Sequence, residues 1–118
     1  QSVVQKMVSD SEVVYLPTDN TVASNTQLIY NICTPAKVPV IAGEEGICKG
    51  CGIATLSISY YNLGLITAQI AADILLEGED VSSIPIAYDE APVRKYNPEI
   101  CAELGIEVPE GYEAIETE

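Results

Sequence analysis

The stretch Val13-Val14-Tyr15-Leu16-Pro17-Thr18-Asp19-Asn20-Thr21-Val22-Ala23-Ser24 decides how the chain is read. Val13 to Leu16 is a short apolar run stopped by a proline, which suits a buried parallel strand. Thr18, Asp19, Asn20 and Thr21 are residue types that cap helices. The spacing then predicts one helix with Val22, Leu28, Ile29, Ile32 and Cys33 on its inner face, ended by Thr34-Pro35.

The same grammar repeats downstream. Val38-Pro39-Val40-Ile41-Ala42 is predicted as a second strand, ending at Gly43 and followed by Glu44-Glu45-Gly46. Ile53 to Ser59 is predicted as a third strand, and Tyr60 to Glu77 as a long helix ended by Gly78. That helix carries one apolar stripe at Leu63, Ile66, Ile70 and Ile74 and a second at Leu65, Ala68, Ala72 and Leu76. A band that wide predicts burial against more than one surface. Ile84 to Tyr88 and Val93 to Tyr96 are predicted as two further strands. Asn97-Pro98 reads as a cap with proline at the first helical position, opening a short helix to Gly105. Upstream, Val3, Val4, Met7 and Val8 mark one side of a helix over residues 1–8. Alternating strands and helices give an α/β class with an open, mainly parallel sheet flanked by helices.

The chain has 118 residues, 47% of them hydrophobic, enough for one domain or part of one with its own core. Five basic residues against 18 acidic ones leave a net charge of −13. That excludes nucleic acid as a partner, since affinity for phosphate rests on Lys and Arg, and it excludes anionic membrane surfaces. The acid-rich end, EVPEGYEAIETE, reads as a solvated tail. Gly50 to Ala72 is uncharged, but its Thr, Ser, Asn and Gln residues and the Tyr60-Tyr61-Asn62 centre do not suit a bilayer span of roughly 20 apolar residues. Gln1 opens without a basic n-region, so no signal peptide is expected within the chain. Histidine is absent, which removes the commonest general base and metal ligand.

In open α/β sheets, ligands sit outside the carboxyl ends of strands. Asp19-Asn20-Thr21 and Glu44-Glu45 both stand at such ends, so two strands deliver carboxylates to one rim. Each motif has a plainer reading beside the functional one. Asp19 can simply cap its helix, and Glu44-Glu45 can be a solvated turn. Cys48-Lys49-Gly50-Cys51 is a CxxC, read here as part of a loop. A redox thiolate needs a helix N-terminus, whereas this pair precedes Gly52 and a strand. Structural zinc needs two more ligands, for which only Cys33 and Cys101 exist. The cysteines are read as small apolar residues, with a thiol or metal protein acting through Cys48 and Cys51 as an alternative.

YLPTDNTVAS, VPVIAGEEG, GIATLSISYYNLGLITAQIAADILLEG, Pro85-Ile86 and CAELGIEVPEG, in this order, resemble the C-terminal portion of ABC-transporter substrate-binding proteins. The subgroup resembled is the one associated with tryptophan, tyrosine or similar amino acids. The resemblance implies a type I periplasmic-binding fold, two α/β lobes with ligand trapped between them, and a chain that is most of the C-terminal lobe. It implies that residues 1–59 form that lobe and a hinge strand. Residues 60–78 would be a helix packing on a missing N-terminal lobe, and residues 79–118 returning strands, a short helix and the acidic tail. A fragment of this kind is expected to self-associate through the face left bare.

The resemblance further implies an extracytoplasmic, membrane-anchored solute-binding component that works with a membrane permease and an ATPase. It makes no bond and needs no cofactor, metal or catalytic residue. Asp19 becomes the main partner of a ligand ammonium, with Asn20 and Thr21 bonding the polar end. Glu45 becomes a second polar contact and Glu44 a weaker candidate, while Ser57 or Ser59 lines the hinge side. An effector-binding domain of a transcriptional repressor shares this architecture and is the alternative of another class.

Overall fold

The computed structural model describes residues 1–116. Two compact units are present, Gln1–Ser57 together with the chain from Val93 on, and Ile58–Pro92. In the first unit the elements run α1 (Ser2–Asp10), β1 (Val14–Leu16), α2 (Asn20–Ala23), α3 (Thr26–Cys33), β2 (Val40–Ala42), α4 (Glu45–Cys51) and β3 (Ala54–Ser57). The second unit contributes α5 (Tyr60–Leu76) and a 3₁₀ turn at Val81–Ser83. The first unit then resumes with β4 (Val93–Tyr96), α6 (Pro98–Leu104) and β5 (Glu113–Ala114).

The five strands form one sheet in the order β1-β2-β3-β4-β5. β1, β2 and β3 are mutually parallel, β4 runs antiparallel to β3, and β5 is parallel to β4. The expected mainly parallel α/β sheet is therefore the observed one. Alternation along β1 buries Val14 and Leu16 and leaves Tyr15 exposed, because successive side chains point to opposite faces. The buried face, with Val40 and Ala42, packs against Ile29, Cys33, Ile47, Cys48 and Cys51 from α3 and α4. Val4, Met7 and Val8 of α1 close over the same core.

Several sequence expectations are corrected. The single helix after β1 is two, because Ser24 Oγ and Asn25 Nδ2 donate back to the carbonyls of Asn20 (2.8 Å) and Thr21 (2.7 Å). Such side-chain bonds compete with helix continuation. The CxxC is not in a loop: Cys48 and Cys51 lie in the second half of α4, fully buried. Ile84 to Tyr88 forms no strand; Pro85 lacks an N–H, and Ile86 and Tyr88 are 81% and 74% exposed. The acidic end is not wholly a solvated tail. It adds β5 to the sheet edge, with Ile115 N donating to Tyr96 O at 2.9 Å and the Ile115 side chain in the core. Its last residues, Thr117 and Glu118, lie outside the described residues.

Within the second unit, α5 has no buried residue. Leu63, Ile66, Ile70 and Ile74 are half-buried, while Leu65, Ala68 and Leu76 of the second stripe are exposed. Within the second unit neither stripe is buried. Among the described residues, no helix is long and apolar enough to cross a membrane.

Candidate functional site

β1 and β2 lie side by side in register Leu16↔Ala42, so their carboxyl ends share one edge of the sheet. The turns that follow touch: Gly43 N donates to Leu16 O at 2.7 Å. A Cβ at Gly43 would stand 2.7 Å from Thr18 N, so this close approach requires a glycine. Asp19 begins three residues past Leu16 and Glu45 three past Ala42, and the two carboxylate-bearing turns therefore occupy the same end of the sheet.

Asp19 is the exposed N-cap of α2, and its Oδ1 accepts from Val22 N at 2.9 Å. Asn20 and Thr21 open that helix with exposed side chains. Glu44 caps α4, its two carboxylate oxygens accepting from Gly46 N and Ile47 N. It serves the helix, where the plainer reading of Glu44-Glu45 was a solvated turn, and the acid beside it reinforces the positive end of α4. Glu45, the first helical residue, is different. One of its oxygens, Oε2, accepts from both Lys95 Nζ and Ser57 Oγ, each at 2.8 Å. The Lys95 ammonium holds the Glu45 carboxyl below its ordinary range, with Ser57 adding to the effect against the opposing cost of partial burial.

The Glu45–Lys95 pair is half-open, the side chains 39% and 26% exposed respectively. Lys95 is a member of this rim that the sequence reading missed. It stands 50 residues from Glu45, on a strand whose pairing with β3 no local pattern announces. The faint signal was a lysine at a half-buried strand position. Ser57 is thus beside Glu45, buried at the end of β3. Ser59 belongs to the second unit, where it caps α5 by accepting from Asn62 N at 3.1 Å. Its own N–H donates to Asp89 Oδ2 at 2.7 Å.

The four cysteines are free and buried. Burial raises all four thiols, Cys48 and Cys51 to about 12. Among the described residues, no group of three or more His, Cys, Asp or Glu is placed to hold a metal ion.

Residues 1–117 match the family of ABC transporter substrate binding proteins. The chain belongs to that family. It is 32% identical over 83 residues to a tyrosine-binding protein of Clostridioides difficile strain R20291, covering 70% of this chain and 24% of that protein. Among solved structures it resembles the ligand-free, open form of a substrate-binding protein with adhesive properties from Clostridium difficile. There the identity is 35% and the TM-score 0.75, over 99% of this chain and 40% of that one. It also resembles an ABC domain from Streptococcus pneumonia in complex with L-Trp, at 26% identity and TM-score 0.80, over 97% of this chain and 40% of that one. The chain spans about a quarter to two-fifths of the length of these relatives.

Proposed function

We propose that this chain is most of the C-terminal lobe of an extracytoplasmic solute-binding protein of an ABC importer, and that it takes an aromatic or other amino acid between this lobe and a second one. Family membership supports the class, and the tyrosine-binding and L-Trp-bound relatives support the ligand chemistry. The observation that carries the reading is the placement of the Asp19 and Glu45 turns side by side at the end of two adjacent parallel strands. That is where open α/β sheets bind ligands.

An amino acid brings an ammonium group into the cleft. Its desolvation must be offset by a carboxylate and hydrogen bonds. Asp19 is the main partner because it is exposed and only Oδ1 is taken by the helix cap. Asn20 and Thr21 bond the polar end, and Glu45 is the second acidic contact. Ser57 supports Glu45, and Ser59 lines the hinge side. Ligand capture is a hinge closure of two lobes, followed by delivery to a membrane permease driven by an ATPase. The α5 stripe is covered by the other lobe, and a chain lacking that lobe covers it by self-association.

The test is calorimetry on the two-lobed protein with L-tyrosine and L-tryptophan. Asp19→Asn keeps a good helix cap and removes the charge, so affinity falls by at least about tenfold while Tm holds. Asp19→Ala loses the same affinity together with the cap. Unchanged affinity in both variants refutes the role of Asp19. A wild-type protein that binds neither amino acid refutes the function.

A further inference from the structure

We propose that Lys95 reads the carboxylate of the ligand, so that the Glu45–Lys95 pair recognises the zwitterionic head of an α-amino acid. The proposal rests on the amino-acid reading above and adds a residue that decides which ligands of that class bind.

The rim is acidic: Asp19, Glu44 and Glu45 all stand on the two touching turns. Such a rim attracts an ammonium and repels a carboxylate. An amino acid carries both groups on one carbon, so a cation must stand close to the acid that takes the ammonium. The chain has five basic residues, Lys6, Lys37, Lys49, Arg94 and Lys95. Lys6 lies on α1 and Lys37 on the loop entering β2, at the amino end of that strand. Lys49 is in the last turn of α4, away from its N-terminus. Arg94 alternates with Lys95 along β4 and so points to the other face of the sheet. Lys95 alone has its ammonium on a rim carboxylate, 2.8 Å from Glu45 Oε2.

The geometry of the pair leaves both partners able to bind more. The bonds from Lys95 and Ser57 converge on Oε2, and Glu45 Oε1 accepts none among the described residues. The lysine ammonium has three donors, of which Glu45 takes one. Both side chains are part-exposed, so a ligand can reach them without first breaking the pair. A zwitterion whose ammonium is shared between Asp19, its main partner, and Glu45 Oε1 lays its carboxylate toward the free donors of Lys95. The pair is already formed, so neither charge has to be desolvated alone when ligand arrives. Bound this way, an α-amino acid gains a charge-assisted bond that the matching amine lacks.

The experiment compares L-tyrosine with tyramine, which lacks only the carboxylate, in the two-lobed protein by calorimetry. The wild type prefers L-tyrosine. Lys95→Met lowers the L-tyrosine affinity by about ten- to a hundredfold and leaves tyramine bound as well or better, since Glu45 is then unpaired, so the preference collapses. Lys95→Arg restores most of it. A purely structural role would lower both affinities together and leave their ratio intact, and that result overturns the proposal while sparing the amino-acid reading. Tighter L-tyrosine binding by Lys95→Met also overturns it, because Lys95 would then be competing with ligand for Glu45. If Lys95→Met does not fold, Glu45→Gln decides with the des-amino acid 3-(4-hydroxyphenyl)propanoate as probe. Loss of L-tyrosine affinity with the des-amino acid bound as well or better supports the pair, and equal loss of both counts against it. A wild type that binds no aromatic amino acid removes the reading on which the proposal stands, and the proposal with it.

Discussion

Glu45 shows how a single side chain ties distant parts of the sequence to one rim. Its Oε2 gathers Ser57 from the end of β3 and Lys95 from β4. The ammonium of Lys95 keeps the carboxyl below its ordinary range in the folded state. A depressed carboxylate contributes stability that is complete above the ordinary carboxylate pKa and is lost as pH falls through the depressed value. Glu45→Gln is therefore expected to lower Tm at neutral pH, with the gap closing as pH falls toward about 3. Because the pair is part-exposed, added salt narrows the gap as well. Thermal melts of both proteins across pH and ionic strength check this, and a gap constant with pH would show that Glu45 acts through packing rather than charge. The sequence placed Glu45 at a strand end; it gave no sign that the charge would be paired within the same unit.

At the scale of the element, α4 carries the lesson of the CxxC. Glu44 caps its start, and Lys49 stands in its last turn, both favourable to the helix dipole. The helix then lays Ile47, Cys48 and Cys51 into the core at 0%, 0% and 1% exposure. Apolar surroundings disfavour a thiolate, which is why Cys48 and Cys51 rise to about 12. The four thiols are expected to resist an aromatic disulfide reagent at about pH 8 in the folded chain and to react on denaturation. Rapid native labelling at Cys48 or Cys51 would reopen the redox reading. Asn97 was legible as a cap from Asn-Pro alone, and it accepts from Glu99 N and Ile100 N, both at 3.1 Å. Its second role was not legible: buried at 1% exposure, it also donates to the carbonyls of Cys48 and Lys49, fastening α6 to α4. The strand expected at Ile84–Tyr88 failed for a related reason. Apolar residues make a strand only where a neighbour supplies the ladder.

For the whole molecule, the question is what covers α5. Its 17 residues are strongly apolar, yet none is buried, and Tyr60, Tyr61, Leu65, Leu75 and Leu76 are each more than half exposed. A patch of this kind is rarely left to water. In the proposed two-lobed protein the other lobe takes it. The chain by itself is therefore expected to sediment as oligomers that grow with concentration, and to bind a hydrophobic dye at low concentration. Sedimentation as a dye-silent monomer at every concentration would argue that α5 needs no partner.

What the sequence determined by itself is what neighbours along the chain decide among themselves: apolar runs for β1 and β2, cap chemistry at Asp19 and Asn97, the glycine stop after α5, and the order of strands and helices that makes the sheet mainly parallel. The tertiary structure alone decided the Glu45–Lys95 pair and the pairing of the acidic end as β5. Such contacts join residues tens of positions apart, so they exist only once the sheet has closed. No short-range pattern of side chains encodes them.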